Sequence, residues 1–132
     1  MKPIMPCDTN LENSVLGALI QFPEVYPQMR DYITTDDVFY QTKAKLLWNK
    51  LKPMLRKKEY IDLTTVSACL KDEEIAEGLT HVYIVDCTMA AGLSSSTSAY
   101  VKKLYEKYLM RRVVEETSRI QISAMNSGEE AY

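Results

Sequence analysis

The sequence predicts an all-α fold, and three observations support that prediction. Apolar residues recur at intervals of three and four in several segments, as they do along one face of a helix. Residues that cap helices precede most of these segments. Residues 81–89 alone have the β-branched and aromatic composition of a strand, and a single strand has no partner for its backbone hydrogen bonds. We therefore predict a compact bundle of about six helices, with a long last helix that extends outward as the first arm of a helical hairpin.

The first predicted helix runs from Thr9 to about Gln21. Thr9 and Glu12 have the spacing of a capping box, in which each side chain bonds the backbone N–H of the other residue. Gly17 lies in mid-helix, where glycine costs roughly 1 kcal/mol relative to alanine, so we predict that another backbone approaches the helix there. The face expected to be buried carries Leu11, Val15, Ala18, Leu19 and Phe22.

Two short segments flank this helix. Residues 1–8 are predicted to form an extended N-terminal arm, because Pro3 and Pro6 disfavour a helix. A short second helix is predicted from Glu24 to Met29, followed by a polar turn over residues 34–37.

The strongest helical pattern in the chain follows that turn. Pro53 lies inside it and should kink the helix near Asn49, where one hydrogen bond is lost. Asp62 then has the position of an N-cap for a helix over residues 63–70, and residues 71–78 are predicted to be an exposed acidic turn. The apolar positions of the strong pattern are Tyr40, Ala44, Leu47, Trp48, Leu51 and Leu55.

The last predicted helix, from about Thr97 to Met125, changes its apolar face midway. In the first half the face consists of Val101, Leu104, Tyr105 and Tyr108, and in the second half of Leu109, Val113, Ile120 and Ala124. The second set is displaced by roughly a quarter turn. We expect the first half to pack on the bundle and the second half to contact another helix or another copy. The alternative is a solvent-exposed helix end with a few exposed apolar residues. Residues 126–128 are predicted to end the helix in a turn, which suggests that the chain is a fragment.

The composition fits one globular domain. Of 132 residues, 46% are hydrophobic and 26% are charged, which suffices for a core without disulfide or metal support.

The formal charge of -2 provides no overall attraction to nucleic acid or anionic lipid. Three widely spaced cysteines do not form a disulfide framework and suit a reducing cytosol. The longest apolar run, Val15 to Ile20, is far shorter than a membrane span of roughly 20 residues, so we expect a cytoplasmic protein without membrane contact.

No catalytic constellation is visible in the sequence. The glycines are scattered and none precedes a lysine, which excludes a P-loop and a dinucleotide-binding turn. The single histidine, His81, has no neighbours at metal-ligand spacing, and we expect it to be a surface or capping residue. We predict no catalytic residue, cofactor site or metal site in this chain.

Basic residues cluster in residues 41–60, which contain seven Lys and Arg residues against one Glu. The cluster has two interpretations. The first is a solubilising face beside the apolar stripe of the Trp48 helix. The second is a phosphate-contacting surface, with Lys43, Lys50 and Lys57 as possible contacts and a salt-dependent affinity.

Four motifs in register carry a resemblance to a known family. They are Glu12-Asn13-Ser14-Val15-Leu16-Gly17, Asp37-Val38-Phe39-Tyr40 before a helix, Ile61-Asp62-Leu63-Thr64-Thr65-Val66, and Ser98-Ala99-Tyr100 at the start of the long helix. Over roughly residues 8–125 the sequence resembles the N-terminal domain of the bacterial replicative DNA helicase, the DnaB family. Thr42-Lys43-Ala44-Lys45 and Pro53 depart from the family pattern and suggest a divergent chromosomal, phage or mobile-element version.

The resemblance implies that residues 9–132 form a collar domain, truncated within its hairpin, that holds a hexameric helicase ring together and offers a surface to primase. ATP, magnesium and DNA translocation would belong to a motor domain absent from this chain. The hairpin contact is assigned to Leu109, Val113, Val114 and Ile120, with Tyr83, Val114 and Ile120 as candidates for the primase-facing surface. The alternative is a stand-alone nucleic-acid-binding module that uses the Lys43 to Lys58 face.

Overall fold

The computed structural model describes residues 5–130, and within this range it contains seven α-helices and no strand. Short 3-10 turns at Pro23–Val25, Asp36–Val38 and Ser94–Ser96 precede α2, α3 and α7. The predicted all-α fold is confirmed. The helices are α1 (Thr9–Gln21), α2 (Tyr26–Met29), α3 (Thr42–Arg56), α4 (Leu63–Ala68), α5 (Asp72–Ala76), α6 (His81–Ala90) and α7 (Thr97–Glu130).

Helix α1 is the centre of the bundle, because it contacts α3, α6 and α7. Its N-cap is Asp8, whose carboxylate accepts the N–H of Leu11 at 3.0 Å. The prediction that Thr9 caps α1 is therefore wrong, since Thr9 is already helical. Glu12 does not form the predicted capping box, and its side chain is buried in the core. The largest fully buried side chains of the bundle include Leu16, Leu19, Met29, Phe39, Leu47, Trp48, Leu51, Leu79, Ile84 and Leu104.

Gly17 allows α1 and α6 to approach at backbone distance. A β-carbon built on Gly17 would lie 1.8 Å from the carbonyl oxygen of Cys87, far inside any van der Waals contact. The predicted close approach of another backbone is confirmed. Glycine is required here for space, and its backbone freedom is not the reason.

Helix α6, at His81–Ala90, confirms the helical prediction for the strand-like residues 81–89. Its first turn is capped by Thr80, whose hydroxyl accepts the N–H of Tyr83 at 3.1 Å. Ile84 and Cys87 are fully buried and face α1. Tertiary packing thus outweighs the β-propensity of the local sequence.

Helix α3 continues through Pro53 to Arg56, and the kink expected near Asn49 stays a prediction. Trp48 is almost fully buried in this helix, with its ring 6.2 Å from that of Tyr26 and 5.9 Å from that of Phe39. Within the described residues, the Trp48 Nε1–H is buried without a hydrogen-bond partner.

Two short helices connect α3 to α6. Asp62 caps α4 as predicted, in a capping box with Thr65, and the Thr65 backbone N–H lowers the pKa of the Asp62 carboxyl. The acidic segment after α4, predicted to be a turn, contains helix α5. The Lys71 N–H donates to the Glu74 carboxylate at 2.9 Å, and this bond stabilises the start of α5. The chain then reverses at Gly78, whose φ of 102° favours glycine.

Helix α7 is longer than predicted. It starts at Thr97 as expected and continues through residues 126–128 to Glu130, so the predicted turn at Gly128 is wrong. The N-terminal arm is described from Met5 to Asp8, where it has no helical structure. Residues 1–4 of that arm and residues 131–132 of the predicted domain lie outside the described residues.

Candidate partner interface

The first half of α7 packs on the bundle. Val101 and Leu104 are fully buried, and the ring of Tyr105 lies 5.8 Å from that of Tyr32. The helix also contacts α1, α2 and the turn at Asp36–Val38. This half is therefore a structural part of the domain.

The second half of α7 carries an exposed row of apolar side chains, which we call the outer strip. Its members are Leu109, Val113, Ile120 and Ala124, of which the first three are 44%, 64% and 65% exposed. At 3.6 residues per turn the strip lies about 140° around the helix from the buried row of Val101, Leu104 and Tyr108. This rotation is larger than the expected quarter turn, and it directs the strip away from the bundle.

The other two residues assigned to the partner interface, Val114 and Tyr83, lie in different surroundings. Val114 is half-buried and lines a cleft of about 410 Å³ together with Met5 and Ile122. Tyr83 is only 4% exposed, and its hydroxyl donates to Asn13 Oδ1 at 2.8 Å. Burial raises the pKa of Tyr83 well above its ordinary value. The placement of Tyr83 on a primase-facing surface is therefore corrected, because its ring belongs to the core.

A charged row flanks the outer strip. Glu116 bonds Arg119 and lies 3.8 Å from Arg112 Nη2. Exposed ion pairs of this kind contribute little to stability. Their effect is to leave one edge of the strip polar, while Met110 and Gln121 on the other edge carry no charge.

Two buried charged residues bind the backbone of residues 37–41, and the sequence analysis assigned neither to this role. Arg111 is 4% exposed and donates to the carbonyl oxygens of Pro6 at 2.9 Å, Asp37 at 2.7 Å and Val38 at 3.0 Å. Glu12 is fully buried and accepts the backbone N–H groups of Tyr40 at 3.0 Å and Gln41 at 3.2 Å.

The sequence contains a signal that could have identified the buried roles of Arg111 and Glu12. Arg111 continues the buried row of Val101, Leu104 and Tyr108 at helical spacing, and Glu12 lies one turn before the buried Leu16. A charge at a core position of an amphipathic helix indicates a buried hydrogen-bonding role, because an unpaired buried charge is costly.

Most of the basic residues that were considered for phosphate binding contact other residues of the domain. Lys50 Nζ lies 3.0 Å from Glu74 and donates to the Cys69 carbonyl oxygen at 2.8 Å. Burial alone would raise the pKa of Glu74, yet its bonds with Lys50 and with the Lys71 N–H lower it. Lys43 Nζ lies 4.7 Å from the centre of the Tyr83 ring. Neither Lys43 nor Lys50 projects freely into solvent.

Two further lysines of the cluster pair with the turn before α3. Lys45 lies 3.5 Å from Asp37, and Lys52 lies 3.4 Å from Asp36. Lys57, together with Arg56 and Lys58, is exposed at the end of α3 and has no ion pair among the described residues. The extended basic face is thus reduced to this short group, which we call the α3 tip.

The remaining candidate groups lie apart from one another. His81 is exposed and bonds the Ser67 hydroxyl at 2.8 Å, as expected for a surface residue. Cys87 is buried, and burial raises the pKa of its thiol to about 12. Among residues 5–130, no three His, Cys, Asp or Glu residues are grouped to hold a metal ion. Over the same range, no helix is both long enough and apolar enough to span a lipid bilayer.

Comparison with known proteins gives concordant results. Residues 4–106 match the family described as DnaB-like helicase N terminal domain. The chain is 24% identical over 116 residues to Replicative DNA helicase DnaC of Bacillus subtilis (strain 168), which covers 87% of this chain and 25% of that protein. It is 25% identical over 113 residues to Replicative DNA helicase DnaB of Rhodothermus marinus, covering 85% and 12% of the two chains. The chain therefore spans a quarter or less of these relatives.

The fold agrees with a solved structure as well. The crystal structure of the N-terminal domain of DnaB helicase from Mycobacterium tuberculosis superposes with a TM-score of 0.86, at 21% identity, over 96% of this chain and 90% of that one. The protein is thus an all-α domain of the kind found at the N-terminus of replicative DNA helicases. Because the family match covers most of its length, the chain belongs to the DnaB-like helicase N-terminal domain family.

Proposed function

We propose that this chain is a non-catalytic assembly domain of a replicative helicase and that the outer strip joins it to another copy. The observation that carries the proposal is the exposure of Leu109, Val113 and Ile120 on one side of α7, facing away from the bundle. Burying one such side chain fully is worth roughly 1.5–3 kcal/mol. A second helix laid along the strip would cover all of them.

The spacing of the strip supports a helix as its partner. Its members are four, seven and four residues apart, which keeps them on one narrow face. The uncharged edge beside Met110 and Gln121 permits close approach from that side. A pair of α7 helices from two copies, or a helical hairpin with a following segment, satisfies this geometry.

The test replaces Val113 and Ile120 by Asp in one variant. Sedimentation equilibrium should show that the parent chain associates and that Val113→Asp/Ile120→Asp is monomeric, with unchanged far-ultraviolet circular dichroism. The matched control is Met125→Asp/Asn126→Asp, which adds the same charge to exposed positions on the other side of the same helix, away from the strip. Equal association of all three proteins would refute the proposal.

We further propose that the assembled domain contacts primase through Val114. Ile120, the other candidate on α7 for this surface, would be covered by the second copy. Within a longer protein this domain would form the collar of a hexameric ring, in the cytoplasm, while ATP and magnesium would bind a motor domain. The cleft that Val114 lines with Ile122 supports this assignment, since it offers apolar surface on a second side of α7. Titration of labelled primase with the parent chain should give saturable binding, and Val114→Asp should weaken it.

Nucleic-acid binding by the basic face is not favoured as a second function. Four of its seven cations are engaged within the domain, namely Lys43, Lys45, Lys50 and Lys52. The α3 tip leaves only three cations at one point of the surface, whereas a phosphate-binding face requires cations distributed along a strand.

A further inference from the structure

We infer that Arg111 is a positioning residue that fixes the direction in which α7 leaves the bundle and thereby places the outer strip. The contacts of Arg111 alone fix this direction. Its consequence for association rests on the function proposed above.

Arg111 lies at the point where α7 separates from the bundle. On its N-terminal side, Val101 and Leu104 are fully buried. Arg111 is the last buried residue of α7 up to residue 128, and Val113 and Ile120 beyond it are exposed. The contacts of Arg111 are therefore the outermost buried attachment of the helix.

The guanidinium group holds two separate parts of the chain at once. Nη1 donates to the Pro6 carbonyl oxygen of the N-terminal arm, and Nη2 donates to the carbonyl oxygens of Asp37 and Val38. Because the guanidinium is planar and its N–H bonds diverge in fixed directions, such contacts set an orientation as well as a distance. The arm and the turn thus constrain the helix from two directions.

Aromatic rings complete the site. The Arg111 guanidinium carbon lies 5.3 Å from the centre of the Tyr40 ring and 6.0 Å from that of Tyr108, within range of a cation–π interaction. Among the described residues no carboxylate forms an ion pair with Arg111. Peptide carbonyl groups and ring faces compensate its charge, so the site depends on the exact placement of the backbone of residues 37–38.

Glu12 anchors the continuation of that backbone, at residues 40–41. Its carboxylate accepts the N–H groups of Tyr40 and Gln41 and the side-chain amide of Gln41. The turn that receives Arg111 is therefore anchored to α1, the central helix. The turn therefore links the direction of α7 to the position of the core helix α1.

The next residue of the helix provides a matched control. Arg112 has the same charge and side chain, but it is exposed and its ion pair is with Glu116 on α7 itself. A change at Arg112 removes one arginine from α7 without removing a hydrogen bond or ion pair to the rest of the described bundle.

The experiment measures the direction of α7 by the distance between two spin labels, with pulsed electron paramagnetic resonance. The labels are placed at exposed Thr64 of α4 and exposed Asn126 of α7, after replacement of Cys7 and Cys69 by Ser, and the buried Cys87 is retained. Labelled chain is diluted into excess unlabelled chain, so that only distances within one chain are recorded. Arg111→Gln should shift or broaden the distance distribution by several Å, whereas Arg112→Gln should reproduce the parent distribution.

A second variant keeps the test decisive if Arg111→Gln does not fold. Arg111→Lys keeps the charge but lacks the forked donors, and it should fold and still broaden the distribution. Parent-like distances in folded Arg111→Gln, or in Arg111→Lys if the glutamine variant does not fold, would overturn the inference.

Association is measured on the same proteins by sedimentation. Arg111→Gln should weaken self-association at least about tenfold, and Arg112→Gln should associate like the parent chain. Altered spin-label distances in Arg111→Gln together with parent-like association would overturn the conclusion that Arg111 places the outer strip. If the parent chain itself does not associate, the proposed function fails, while the distances still decide the role of Arg111.

Discussion

Glu12 and Arg111 hold the two ends of the same segment, residues 37–41. The carboxylate takes the two N–H groups at the C-terminal end of the segment, and the guanidinium takes two carbonyl oxygens at its N-terminal end. A buried anion and a buried cation are thus each satisfied by the backbone.

We expect the two residues to be energetically coupled. Glu12→Gln and Arg111→Gln should each lower the free energy of unfolding by about 2–4 kcal/mol, because each change breaks charge-assisted bonds of buried groups. The double variant should lose less than the sum, with a coupling of about 0.5–3 kcal/mol. Urea unfolding of the four proteins provides the measurement, and strictly additive losses would contradict the shared role of the segment.

Replacement of Gly17 by Ala should destabilise the domain. The added methyl group would overlap the Cys87 carbonyl oxygen, which is backbone and cannot rotate away. Overpacking of this kind costs about 1–3 kcal/mol or more, which outweighs the roughly 1 kcal/mol that alanine gains in a helix. Chemical denaturation should therefore show a lower midpoint.

The control for this change is Gly128→Ala in α7. A β-carbon at Gly128 meets no atom within 4 Å, so only helix propensity is altered. Helicity at the end of α7 should rise slightly, and the unfolding midpoint should not fall. A Gly17→Ala variant as stable as the parent would show that α6 can move aside at no cost.

Alkaline pH should weaken the fold through Cys87. Its thiol has an ordinary pKa of 9.0, which burial raises to about 12 in the folded chain. Above pH 9 the unfolded chain therefore loses a proton that the folded chain keeps, and stability falls as pH rises toward 12. Tyr83, whose pKa burial also raises, acts in the same direction.

The Cys87→Ala variant isolates the contribution of the thiol. Urea unfolding between pH 8 and pH 11 should give a shallower decline for the variant than for the parent, by up to about 1.4 kcal/mol per pH unit. The absolute stability of the variant is not the test, because the smaller side chain alters packing. Identical slopes would mean that the thiol titrates normally in the folded chain.

Binding of single-stranded oligonucleotides should be weak and depend little on salt. Of the seven cations at residues 41–60, only the three of the α3 tip have neither an ion pair nor a cation–π contact among the described residues. The slope of log affinity against log salt for this face should therefore not exceed about 2 in magnitude, whereas seven free cations would give about 5. Fluorescence anisotropy across a salt series measures this slope. A steep slope that disappears on replacement of Lys43 and Lys50 would support the stand-alone nucleic-acid-binding module instead.

Much of the fold could be predicted from local sequence patterns. The spacing of apolar residues located α1, α3 and α7, and Asp62 marked the start of α4, because these features depend on neighbours three or four residues away. The Gly17 prediction succeeded for a similar reason: a glycine in a well-formed helix requires a packing explanation.

The errors arose where distant residues decide the structure. The pair Thr9 and Glu12 matched a local capping pattern, but Asp8 took that role and the carboxylate was recruited by residues 28 and 29 positions later in the chain. Tyr83 appeared as a candidate surface residue because nothing near it in the sequence reveals the approach of Asn13.

The extent of α7 is a related case. Gly128 and the polar residues before it are typical of a helix end, yet the helix continues through them to Glu130. A single glycine costs only about 1 kcal/mol in a helix interior, so it cannot by itself terminate a long helix. The start of α7 could therefore be predicted from local residues, whereas its end could not.

The length of α7 beyond its last buried attachment makes the helix a lever. From Arg111 to Glu130 it extends about 28 Å at a rise of 1.5 Å per residue. A tilt of about 10° at Arg111 would displace the far end by about 5 Å, roughly the rise of one helical turn. A small rearrangement at Pro6 or at the turn before α3 would therefore be magnified along α7, to about 3 Å at Ala124, the far end of the outer strip.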